Sequence, residues 1–187
     1  MPLADAIREL GDRTRSDLDE LYDYYEHTKI AWRIVQLYVQ DGRRFTVHNR
    51  TTGTAFNQTE LLGRSQRYIR ESLAVSTFKQ VTAQLEDFYF GLLRLWLTEE
   101  PRPLSSMEVK FGEVLKAGSI DSLKTDLINK RLNRLSYDSV EDWFKEGEKL
   151  MGLGHPRSDQ IAQIAELKAS RDVLEHRGGV VDAIYQR

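Results

Sequence analysis

Only four prolines occur in 187 residues, at positions 2, 101, 103 and 156. Proline removes a backbone donor, and its ring clashes with the preceding helical turn, so the last three act as stops. The proline-free stretches 3–100 and 104–155 are long. Within them apolar residues recur at steps of three and four, the spacing of one face of an α-helix. The pattern predicts an all-α chain: an antiparallel helical bundle with an N-terminal helical extension.

The elements follow from that spacing. Leu18, Leu21, Tyr22, Tyr25, Trp32 and Val35 predict a helix from about Asp17 to Val39, stopped at Asp41-Gly42. Arg43 to Phe56 carries β-branched and aromatic residues and reads as a short hairpin or loop. A second helix is expected over Thr59–Ser72. Ser76 then opens a strong one, with Phe78, Val81, Leu85, Phe88, Tyr89, Leu92 and Trp96 on one stripe. Met107–Lys116 reads as a short helix. Ser119 is placed to cap the next, with Ile120, Leu123, Leu127 and Leu135 facing in. Ser139 and Asp142 resemble a capping box for a helix to Leu150. Ser158 can cap a last helix through Ile161, Ile164, Leu167 and Leu174. The domain reading is 1–74 as an accessory helical region and 75–187 as the bundle, or one continuous globule.

Charge and composition exclude several classes. Twenty-seven basic residues stand against 29 acidic ones, a net of -2. A generally basic nucleic-acid coat is excluded, and any polyanion site must be a local patch. There are no cysteines, so disulfides, thiolate zinc sites and a cysteine nucleophile are excluded together. The four histidines (27, 48, 155 and 176) fall in no HExxH or similar metal-ligand spacing, and no phosphate-cradling glycine loop occurs. No metal and no cofactor is expected. No apolar run approaches the ~18–20 residues of a membrane span. The expectation is a cytoplasmic protein without membrane contact.

One constellation stands out near the C-terminus. Arg171 lies on or beside the apolar stripe of the last helix, where a guanidinium is costly unless it is paired or faces a cleft. Asp172 and His176 are four residues apart and share a face, so the carboxylate can orient and tune the imidazole. Gly178-Gly179 follows and permits close backbone approach. Two readings are open at this point: a phosphate-handling site, or a surface salt-bridge cluster. The bare spacing decides nothing, because Arg43 and His48 repeat it in a loop-like stretch.

The segment Arg171-Asp-x-x-x-His176, with Gly178-Gly179 and Val-Val-Asp-x-x-Tyr185 after it, resembles the signature of HEPN domains. Gln84-Leu85-Glu86-Asp87-Phe88 is similar to the first core helix of one HEPN group, the RiboL-PSP type. The resemblance covers about residues 75–187. It implies a metal-independent endoribonuclease, in toxin or defence systems, with RNA as substrate and a cognate antitoxin as partner. It also implies a homodimer in which two motifs meet. Arg171 and His176 sit about 140° apart around one helix, so one copy cannot easily aim both at one atom. In that reading His176 is the general base or acid, Arg171 holds the phosphate, and Asp172 orients His176. Arg177, Gly178, Gly179 and Tyr185 would contact substrate. Many such domains are non-catalytic, so a dimerising module that binds a protein or nucleotide is the alternative. A tyrosine that some relatives carry two residues after the histidine is replaced here by Gly178.

Two further strips are basic: Arg64, Arg67 and Arg70, and Lys124, Lys130, Arg131 and Arg134. Both helices also carry acids, so a solvated face is the competing reading. Tyr22, Tyr24, Tyr25 and Trp32 could stack bases or fill a core.

Overall fold

A computed structural model describes residues 2–152 and 154–176. The fold is an all-α helical bundle, and among the described residues no strand longer than one bridge occurs. The order is α1 (Leu3–Gln40), α2 (Gln58–Arg67), a π-helical turn (Tyr68–Ser72), α3 (Leu73–Glu99), a 3-10 turn (Arg102–Ser106), α4 (Phe111–Ala117), α5 (Ile120–Ser136), α6 (Val140–Met151) and α7 (Ser158–His176). Among the described residues no helix is long and apolar enough to cross a membrane.

Packing divides the chain into two units. One is Ser16–Val81. The other joins the residues before Ser16 to those from Thr82 onward. Both divisions fall inside helices, α1 and α3, and the sequence boundary at residue 74 also lies within α3. No proline or glycine linker marks the divisions.

In the smaller unit the C-terminal half of α1 is tied to α2 and the π-helical turn. Gln36 donates to Ser65 Oγ at 3.1 Å, and the Trp32 and Tyr68 rings are 5.0 Å apart. Val39, Leu61 and Leu73 are buried. Asn57 and Glu60 form a full capping box at the start of α2, satisfying two otherwise orphaned donors. Between α1 and α2, His48 and Ala55 form a single antiparallel bridge around a turn at Asn49–Gly53. The expected hairpin is thus reduced to its tip.

The larger unit has one core of Leu93, Leu97, Leu104, Ile128, Leu132, Leu135, Val140, Trp143 and Ile161. Trp143 anchors it by donating from Nε1 to Leu135 O at 2.7 Å. The Tyr89 hydroxyl donates to Trp143 O, and Tyr89 packs between Phe90 and Phe144. Gly147 makes this contact possible: a Cβ there would lie 2.6 Å from the Tyr89 hydroxyl. Gly91 likewise admits the Leu10 side chain from the start of α1.

Several local expectations are corrected. α1 starts at Leu3, not near Asp17, because Ala6, Ile7 and Leu10 continue the helical period through a charged stretch. Ser76 caps nothing. It sits inside α3 and donates to Leu73 O, and the π-helical turn carries the chain from α2 to α3 without a break. The Met107–Lys116 segment is helical only from Phe111. Ile120 is 83% exposed; Leu135 is buried as expected, Leu123 and Leu127 are half-buried, and Ile128 and Leu132 complete the inward face of α5. Ser119 and Ser139 do cap α5 and α6. Asp142 is too short to complete the capping box and accepts the Ser139 hydroxyl proton at 2.6 Å.

Candidate functional site on the last helix

α7 starts where Arg157 N donates to the Gln160 side chain at 3.2 Å. It buries Ile161 and Val173, half-buries Ile164 and Leu174, and leaves Leu167 exposed. Arg171 lies on the edge of that face, 22% exposed, and turns toward α3. Its Nη1 donates to both Glu86 oxygens at 2.8 Å, and its Nε donates to Glu175 Oε2 at 3.1 Å. Among the described residues Nη2 has no hydrogen-bond partner. Burial disfavours the guanidinium's charge, but Glu86, Glu175 and Asp172 more than offset it, and its pKa rises above the ordinary value.

Asp172 does not reach His176. It accepts from Lys168 at 3.4 Å and lies 4.0 Å from Arg171 Nη1. Lys168 in turn stands 5.6 Å from the centre of the Trp143 ring. His176 is exposed and, among the described residues, bonds neither Asp172 nor Arg171. Rotation about the helix separates Arg171 from His176 by about 140°, whereas Asp172 shares the face of His176 and bonds Lys168 instead. Arg177, Gly178, Gly179 and Tyr185 lie outside the described residues.

Sequence reasoning missed Glu86 as a partner. Its one signal was a carboxylate beside the apolar stripe of α3, at a position with no local cation to explain it. The Glu148–His155 pair was missed too: Nδ1 stands 3.3 Å from Oε2, and both Gly152 and Gly154, between the two residues in sequence, take positive φ. The pair lines a cavity of about 370 Å³ with Phe88, Tyr89, Phe144 and Met151. A larger open groove, about 960 Å³, runs beside α5 and α6. Arg131 and Glu146 pair across it, and Arg131 also donates to Pro103 O at 2.7 Å. Lys130 bonds Glu113 at 3.3 Å and Lys145 bonds Glu141 at 2.9 Å, so this groove is close to charge-balanced. Among the described residues no three acidic or histidine side chains come together to hold a metal ion.

Comparison with protein-family models, curated proteins and solved structures found no match to this chain.

Proposed function

We propose that the protein is a metal-independent endoribonuclease of HEPN type, active as a dimer, with Arg171 and His176 as its working groups. The observation that supports this most is the state of Arg171. Glu86 and Glu175 hold two of its nitrogens, so the guanidinium is oriented in advance while Nη2 stays available to a phosphate oxygen. His176 is exposed little more than one turn further along. One imidazole takes the proton of a ribose 2′-hydroxyl. The 2′-oxygen attacks the adjacent phosphorus, the P–O5′ bond breaks, and the imidazole of a second copy protonates the leaving O5′. Arg171 steadies the charge on the phosphoryl oxygens. The products are a 2′,3′-cyclic phosphate and a 5′-hydroxyl.

One observation favours a second reading. Glu86, Asp172 and Glu175 surround Arg171 with more negative charge than Arg171 and Lys168 supply. In that reading the charge of Arg171 is offset by these carboxylates and the side chain pins α7 to α3, in a non-catalytic module that binds a protein or nucleotide. Cleavage of labelled single-stranded RNA in EDTA separates the two. The nuclease reading expects cutting that His176→Ala and Arg171→Ala each reduce at least a hundredfold. Intact RNA, or cutting unchanged in both variants, contradicts it and leaves the module reading.

A further inference from the structure

The chain's net charge conceals a segregation. Residues 33–70 carry seven arginines (33, 43, 44, 50, 64, 67 and 70) against two acids, Asp41 and Glu60, a net of +5. The remaining residues carry 20 basic and 27 acidic side chains, a net of -7. All of this segment belongs to the smaller unit.

Six cations of the larger unit, Lys130, Arg131, Lys145, Arg157, Lys168 and Arg171, each meet a carboxylate. Among the described residues none of the seven makes an ion pair. Glu60 stands one turn before Arg64, but the capping box holds its side chain at the Asn57 N–H, 3.1 Å away. Six of the seven are exposed and Arg64 is half-buried. Like charges gathered without partners repel one another, which costs stability unless a polyanion fills the field.

The aromatic rings around them are arranged for more than charge. Arg43 lies over the Tyr38 ring, 4.9 Å from its centre, and Arg64 over the Phe56 ring at 4.1 Å. Phe45, next to Arg44, is 42% exposed and Tyr38 is 43% exposed. Every cation of residues 33–70 is arginine and none is lysine. Guanidinium groups bind phosphates through paired donors and stack on flat rings, which an ammonium does not do. Exposed rings beside a basic track suit the faces of unstacked bases.

We infer that the smaller unit is a binding surface for single-stranded nucleic acid, tracked by Arg43, Arg44, Arg50, Arg67 and Arg70, with Phe45 and Tyr38 as stacking platforms. The surface stands on charge and geometry that the α7 site does not share, so it holds whether or not that site cleaves RNA.

The test is fluorescence anisotropy of the full chain with a labelled, single-stranded 2′-O-methyl RNA, which cannot be cut by 2′-hydroxyl attack. Binding is expected at 50 mM salt and should weaken as salt rises, by about 0.7 log–log slope per phosphate contacted. Arg43→Gln/Arg44→Gln/Arg50→Gln should weaken it at least tenfold and flatten the slope by about 2. Lys145→Gln/Lys149→Gln should change it less than twofold. Phe45→Ala should weaken single-stranded binding more than duplex binding. Should the triple variant lose its far-UV circular dichroism, Arg67→Gln/Arg70→Gln takes its place with the same expectation. Absence of binding at 50 mM salt, or equal loss in the lysine variant, overturns the inference. So does equal or tighter binding to polyglutamate or to phosphatidylserine vesicles, which would make the surface one for acidic proteins or for membranes.

Discussion

Arg171 and Glu86 stand 85 residues apart in sequence, yet Nη1 of the arginine donates to both oxygens of the carboxylate at 2.8 Å. Both side chains are about one-fifth exposed, between the surface pairs that contribute little and the buried pairs whose rupture is severe. A double-mutant cycle of Glu86→Ala and Arg171→Ala should give a coupling energy of about 1–2 kcal/mol at low salt. Urea unfolding midpoints measure it. A coupling near zero would show that the pair holds nothing.

Tyr89 gives the fold an alkaline limit. Burial, and then the charge of Glu146, push its phenol from 10.0 up to about 12. A pKa raised in the folded state means that the native protein keeps its proton where the unfolded chain has lost it. The resulting stability is fully present below pH 10 and is lost as pH rises from 10 toward 12. Tyr89→Phe removes the hydroxyl that Trp143 O accepts, at a cost of about 1 kcal/mol at neutral pH. The gap in melting temperature between wild type and Tyr89→Phe should shrink across pH 10–12. A constant gap would contradict this account.

Gly147→Ala should destabilise although alanine is the better helix former by about 1 kcal/mol. Its Cβ would meet the Tyr89 hydroxyl at 2.6 Å, and that ring is confined by Phe90, Trp143 and Phe144. A net loss of about 1–3 kcal/mol is expected from the forced shift. In the double variant with Tyr89→Phe the loss should be smaller, since the clashing oxygen is gone.

Two apolar residues of α5 should behave in opposite ways. Leu132→Ala opens the core and should cost about 2–5 kcal/mol, because Leu132 is 4% exposed. Ile120→Ala should stay within about 0.5 kcal/mol. Chemical denaturation of both variants checks the pair.

Ile120 shows where the sequence stopped being legible. The all-α class followed from proline placement and apolar period, and the caps at Ser119 and Ser139 from residue chemistry at the helix starts. Those are local properties of the chain. The inward face of α5 was misread by one step at its start, because Ile120 continues the apolar period but has nothing packed over it. The start of α1 was missed because charged residues dilute its stripe. On α7, the expectation that Arg171 needs a partner or a cleft was met by Glu86, which local spacing cannot reveal. The expected Asp172–His176 contact did not form, since spacing shows that two side chains can touch and not that they prefer each other. Lys168, also four residues away, is the stronger partner for Asp172. The basic strip of Arg64, Arg67 and Arg70 was visible as spacing. Its lack of carboxylate partners became visible only once Glu60 was placed in the capping box.

The chemistry assigned to Arg171 and His176 is tested most directly by the ends of the RNA fragments. A single-stranded RNA is incubated with the full chain in EDTA, and the products are read by mass spectrometry. The account predicts 2′,3′-cyclic phosphate and 5′-hydroxyl ends, made by wild type and lost in His176→Ala while its melting temperature is unchanged. Uncut RNA, or fragments with 5′-phosphate ends, would contradict it.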